Sequence, residues 1–212
     1  MFTLHADNVL VRMNDRDAEK IKDFLHVSFF ILIQALVITE YIFSPKKGLD
    51  IFWFCNHVSI IYAYALYAHR PQMSIGIIQV GIFIQILWLI GFMSHITGIG
   101  TMSTAEYMFE GSFDYTKIVT LIVHILLPTS IIWLVRKEQP KLVSLVYSAF
   151  YCCFLYLSAL LFTSREENIN CVFNPCTGFV PKWGYTALWP FYAGIMVCAN
   201  HGVYRLVHML FT

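Results

Sequence analysis

Asp50-Ile51-Phe52-Trp53-Phe54-Cys55-Asn56-His57 decides how the chain is read. It opens an apolar run that reaches Ala68 and stops at His69-Arg70-Pro71. It also sets a thiol, an amide and an imidazole just inside that run. Bilayer hydrocarbon does not readily accept polar side chains, so such groups face a bundle interior or a cavity. A Cys and a His at similar depth make an activated nucleophile. Two questions follow: whether the run spans a membrane, and which histidine serves Cys55.

Composition answers the first. The chain has 212 residues, 58% of them hydrophobic and 13% charged, with mean hydropathy +0.64. That is the profile of an integral membrane protein. The net charge of +1 and the lack of a basic tract give no footprint for nucleic acid. The N-terminus is polar and mixed in charge up to Asp23 with no short apolar run before it, so no cleavable signal peptide is expected.

Outward from that stretch, six apolar runs are expected as helices: 24–43, 51–68, 75–93, 115–135, 142–162 and 186–211. Each is near the twenty or so residues needed to cross about 30 Å of hydrocarbon. None alternates like a barrel strand, and lipid admits only helices or closed barrels. The expected fold is therefore all-α: a polar segment, 1–23, and a six-helix membrane bundle, 24–212. Asn14 is the candidate N-cap of the first helix, whose first turns are charged. Pro128 is the clearest breaker inside a run. With the N-terminus inside, inner segments hold Arg12, Arg16, Lys20, Lys22, Arg70, Arg136, Lys137, Lys141 and Arg205. Outer segments hold Lys46, Lys47, Lys117, Arg165 and Lys182, so the bias is nine to five for both termini inside. Both long loops, 94–114 and 163–185, are then outside. An outer Cys171–Cys176 disulfide is chemically allowed there, and two thiols are the alternative. The later loop carries Phe173, Phe179, Trp183 and two prolines, which suit an ordered cap over the bundle.

On this layout Cys55 lies about five residues into its span and His124 about nine, a depth difference of about 6 Å. Glu40 sits in the same outer zone, and His201 is deeper. Asn56, His57, Gln79, Gln85 and Asn200 complete the intramembrane polar set. Each has a plainer role. Membrane Cys is often a small filler, and His, Asn and Gln often bond helix to helix. Trp53, Trp133, Trp183 and Trp189 suit interface anchors. The span histidines come singly, with no HxxxH or HExxH, so no metal or other cofactor is expected; a three-His zinc site is weakly supported. GxSxG is absent.

The order of Phe54-Cys55-Asn56-His57, a lone His124, Glu166-Glu167-Asn168-Ile169-Asn170, Asn174-Pro175-Cys176, Pro181-Lys182-Trp183-Gly184-Tyr185 and Asn200-His201-Gly202 resembles the transmembrane protein 164 family from Leu49 onward. More distantly it is similar to the androgen-induced hydrolases of fatty-acid esters. The resemblance implies a membrane acyltransferase that moves an acyl chain between phospholipids to make ether lipids. It implies Cys55 as nucleophile and His124 as base, with His201 and the Glu166–Asn170 stretch supporting or facing substrate. In the family His directly follows the Cys; here Asn56 intervenes, which leaves His57 without an inherited role.

The residues themselves agree with that chemistry. An imidazole can take the thiol proton and return it to a leaving alcohol, and Asn56 and Asn200 are candidate oxyanion donors. Glu40, Asn56, His57, Glu166, Asn168, Asn170, Asn200 and His201 are the candidate supporting residues. The expected partners are membrane phospholipids and lysophospholipids. The expected location is the plasma membrane in a prokaryote or an endomembrane in a eukaryote. A lipid-ester hydrolase, a small transporter and a scaffold are the alternatives. A coupled transporter often carries acids near the midplane, whereas the span acid here, Glu40, is peripheral.

Overall fold

The computed structural model describes residues 15–43, 52–99, 104–176 and 182–211. Among them every regular element is helical and none is a strand. The elements are α1 (Asp15–Phe43), α2 (Phe54–Tyr67), α3 (Pro71–Thr97), a 3-10 turn at Glu106–Met108, α4 (Tyr115–Leu121), α5 (Leu127–Val135), α6 (Leu142–Phe162), a second 3-10 turn at Ile169–Cys171 and α7 (Tyr185–Phe211). A π-helical segment, Ile122–Leu126, joins α4 to α5.

Among the described residues four helical stretches are long and apolar enough to cross a membrane: Ala18–Phe43, Pro71–Thr97, Tyr115–Val135 and Leu142–Phe162. The charged segment that begins at Asp15 is not a separate element but the first turns of α1. The expected cap Asn14 lies outside the described residues, as do Asp50 and Ile51. α2 departs from expectation. Its 14 residues span only about 21 Å at 1.5 Å per residue, short of a bilayer core. The cause is local: Trp53 is extended, with φ −62° and ψ 135°, and the Phe52–Phe54 turn is bonded to a distant loop, as described below. α3 is longer than expected. Pro71 starts it in the first turn, where a missing N–H costs nothing, and Gly98 ends it at φ 68°.

α3 is the central helix, packed against α2, α5, α6 and α7, while α1 lies on α2 and α4. Small residues allow the close approach. A Cβ on Gly76 would sit 2.4 Å from the Ser144 carbonyl of α6, and one on Gly81 would meet the Phe54 ring at 2.2 Å. The core is apolar, with Phe30, Ile75, Leu127 and Ile131 fully buried. Outward faces are apolar too, as at Ile42, Phe150 and Phe191, which suits a lipid surround.

The break in the fourth run follows from Pro128. Proline has no N–H for the carbonyl four residues back, which belongs to His124. The helix widens to π geometry over Ile122–Leu126, and His124 sits in the middle of that segment. Such bulges recur at functional sites.

Candidate functional site

Two polar clusters lie at different levels of the bundle. The upper one surrounds the start of α2, and the lower one surrounds Gln79 of α3.

In the upper cluster Cys55 occupies the first turn of α2, where the helix dipole favours negative charge. Its Sγ lies 3.7 Å from Asn56 Oδ1. Asn56 Nδ2 donates to the Tyr41 hydroxyl at 2.6 Å, and the Asn56 carbonyl accepts from Gln34 Nε2 at 3.0 Å. Gln34 Oε1 accepts from the fully buried Ser59 at 2.7 Å. α1 thus fixes the first two turns of α2 through hydrogen bonds.

His124 is held by α3 and by its own helix. Its ring stacks on Trp88, with centroids 4.5 Å apart and planes at 28°. Nδ1 lies 3.0 Å from the Thr120 carbonyl. A carbonyl only accepts, so Nδ1 carries the proton and Nε2 keeps its lone pair. That is the tautomer a general base needs. The Trp88 indole in turn donates to the Tyr107 hydroxyl at 2.9 Å. Tyr107 is 48% exposed overall, yet its hydroxyl is turned inward. Burial raises the phenol to about 12; the Trp88 hydrogen bond works against this, and nearby Cys55 and Glu40 add to it. Cys55 and Glu40 therefore lie within electrostatic reach of the hydroxyl that Trp88 holds, and Trp88 carries His124. α2 also packs on the π segment.

His57 bonds to α6. Its Nε2 is 2.9 Å from the Tyr151 hydroxyl, and its ring meets Tyr151 and Phe154 edge to face. It links α2 to α6.

The lower cluster holds His201 and Asn200. Gln79 Nε2 lies 3.1 Å from His201 Nδ1. An amide N–H only donates, so Nδ1 is the acceptor and Nε2 carries the proton. That Nε2 is buried without a partner. Ser144 Oγ is 3.4 Å from the same Nδ1, and Ser148 donates to the Gly76 carbonyl at 2.7 Å. Asn200 Nδ2 donates to the Gln79 carbonyl at 2.7 Å. Gln79 and Trp88 are nine residues apart on α3, about 14 Å. Asn200 Nδ2 and His201 Nδ1 both bond to Gln79, and with Ser144 they join α3, α6 and α7.

The Glu166–Asn170 stretch divides. Glu166 is exposed, and its carboxyl is held below the usual range by its own backbone N–H and by Ser164, with Arg165 adding to this. It faces its own turn, not Cys55. Asn168 organises the loop: its Oδ1 accepts from the amides of Phe173 and Asn174 at 3.0 and 2.8 Å. Asn170 reaches α2: Oδ1 accepts from the Phe54 amide at 2.8 Å, and Nδ2 donates to the Phe52 carbonyl at 2.7 Å. Cys171 and Cys176 are disulfide-bonded. Ile169 and Val172 are fully buried, so this part of the loop is packed and not a loose linker; Phe179 and Pro181 lie outside the described residues. Trp189 is not an interface anchor. It is buried, stacks on Tyr156 and donates to the Asn170 carbonyl at 3.2 Å.

Trp88 and Tyr107 escaped sequence reasoning. The signal was a Trp deep inside an apolar run, where its N–H needs a partner. A small cavity opens beside the upper cluster, lined among others by Phe54, Val58, Tyr62, Gly81, Gln85 and Pro128. Among the described residues no group of three or more His, Cys, Asp or Glu side chains is arranged to hold a metal ion.

No family model, no curated protein and no solved structure matches this chain.

Proposed function

We propose that the protein is a six-span membrane enzyme, with both termini on the cytoplasmic side, that moves an acyl chain between phospholipids through Cys55. The observation that supports this is that His124 stacks on Trp88, Trp88 donates to the Tyr107 hydroxyl, and that hydroxyl feels the charge of Cys55. The reading pairs a thiol at a helix start with an imidazole whose N–H is spent on the Thr120 carbonyl. The resemblance to the transmembrane protein 164 family supports the same pair, and it extends the proposal to ether-lipid synthesis.

In this mechanism His124 Nε2 takes the Cys55 proton as sulfur attacks the ester carbonyl of a donor phospholipid. The tetrahedral oxyanion collapses, the C–O bond breaks, and the departing lysophospholipid oxygen receives the proton from His124. The hydroxyl of a second lysophospholipid then gives its proton to His124 and attacks the thioester, and the Cys55 thiol is restored. Asn56, whose Nδ2 donates to the Tyr41 hydroxyl, is the nearest candidate oxyanion donor. Of the proposed six spans, α7 has the length to cross, with 27 residues, whereas the 14-residue α2 would reach full membrane depth with the aid of the neighbouring turn.

The test is mass analysis of the Cys55 peptide after the purified protein meets phospholipid vesicles. An acyl adduct that is cleaved by neutral hydroxylamine and discharged by added lysophospholipid is expected. Discharge by water alone would make the protein a hydrolase of the same chemistry. Adducts confined to Cys152, Cys153 or Cys198, the other reduced thiols, would overturn the assignment.

A further inference from the structure

α2 has no side-chain cap of its own, although its first-turn amides need partners. Asn170 supplies one from 116 residues away, through the Phe54 amide. Its second bond, to the Phe52 carbonyl, makes its carboxamide span the turn that leads into the Cys55 helix. A single side chain thus satisfies a donor and an acceptor on either side of Trp53.

The loop that presents Asn170 has an unusual backbone. Asn168, Asn170 and Cys171 all adopt the left-handed region, at φ 45°, 52° and 56°. Asparagine visits that region readily, whereas a cysteine stays there only when its surroundings hold it. Four features do so. The Cys171–Cys176 disulfide closes the loop. The Asn168 carboxamide binds the amides of Phe173 and Asn174 and the Asn174 carbonyl. Ile169 and Val172 are buried beneath it. The Trp189 indole donates to the Asn170 carbonyl.

We propose that Asn170 is a positioning residue for Cys55: it caps the Cys55 helix in trans, and the disulfide-closed loop holds it there. Calling Cys55 the reacting group rests on the proposed function; the cap itself does not.

Hydrogen–deuterium exchange of the full-length protein in detergent tests the cap without any lipid chemistry. Asn170→Gly is the informative variant, because glycine tolerates φ 52° and removes only the side chain; alanine would add backbone strain. Exchange of the amides at 54–56 should rise about five- to tenfold, the scale of a lost helix cap, with α6 unchanged. Asn170→Asp keeps the acceptor for Phe54, loses the donor to Phe52, and should fall between. Cys171→Ser/Cys176→Ser should match Asn170→Gly, and combining all three should add nothing. Unchanged exchange at 54–56, or a rise shared equally by α3 and α6, overturns the proposal. If Asn170→Gly does not fold, Cys171→Ser/Cys176→Ser decides: local exchange above wild type at 54–56 supports the cap, and wild-type exchange there overturns it. In acyl transfer Asn170→Gly should lower kcat and leave KM unchanged. A local exchange rise in a protein that forms no Cys55 adduct would keep the cap and overturn the proposed function alone.

Discussion

The upper and lower clusters each contain a histidine from a membrane helix, and the two rings are wired in opposite senses. His124 spends its N–H on the Thr120 carbonyl, so its lone pair faces outward from the bond. His201 spends its lone pair on the Gln79 amide, so its remaining N–H is buried and unpaired. Each also has a nucleophile type nearby. The upper cluster offers Cys55 at a helix start. The lower offers Ser144, fully buried and donating to the Lys141 carbonyl at 2.8 Å. Residue inventory does not tell a base from a strut here; the partner of the other ring nitrogen does.

The largest expected effects fall on the upper cluster. Cys55→Ala should abolish the acyl adduct and turnover with the fold intact. Ser144→Ala should leave both adduct and turnover near wild type. The reverse result in adduct mass spectra would move the chemistry to the lower cluster and end the comparison.

The histidines sharpen it. His124→Ala should slow acylation by about two to four orders of magnitude, the usual range for a lost general base, while vesicle binding persists. His201→Ala should change kcat by less than about tenfold and instead lower the melting temperature. It strips the Gln79 amide of a buried acceptor, which costs about 1–3 kcal/mol. Single-turnover kinetics and thermal unfolding of the same two variants separate these outcomes. Equal kinetic losses would mean that the clusters communicate.

Much of the bundle was legible in sequence because continuous apolar length is a local property. Leu142–Phe162 and Tyr115–Val135 have the limits that hydropathy alone suggested. The start of α2 was not legible, because it is set by Asn170, whose partners are 116 and 118 residues away. Pro128 could be seen as a breaker. Its consequence, a π segment centred on His124, depends on which carbonyl loses its donor. The pairing of Trp88 with Tyr107 joins a helix to a loop and has no periodic signal. Depth matching could not say that Asn200 turns to Gln79. The disulfide was one of two open alternatives until the left-handed loop brought its sulfurs together.

Packing offers a smaller contrast. The lower cluster depends on close helix approach, and Gly76 is its contact point with α6. Gly76→Ala puts a methyl 2.4 Å from the Ser144 backbone oxygen, so a helix must shift; the expected loss is about 1–3 kcal/mol. Gly202, one residue beyond His201, has open space where its Cβ would go. Gly202→Ala should stabilise α7 by about 0.5–1 kcal/mol through helix propensity. Equal destabilisation of both in thermal unfolding would show that α7 packs more tightly than the described contacts allow.

The smallest expected effect lies at Gln85, in the cavity between the clusters. Its Oε1 is buried and unpartnered, and the residue is 8% exposed. The neighbouring walls are largely apolar, including Val58, Ile82 and Leu127. An orphaned acceptor carries its desolvation cost with no hydrogen bond to offset it, so replacing it with an apolar group of similar size is neutral or favourable. Gln85→Leu should raise stability by up to about 1 kcal/mol in denaturant unfolding. If the cavity receives only acyl methylenes, turnover should hold or rise slightly, because the lining becomes more apolar. A marked fall in turnover with higher stability would instead give Gln85 a part in the reaction, and would extend the upper cluster one turn further down α3 toward Gln79.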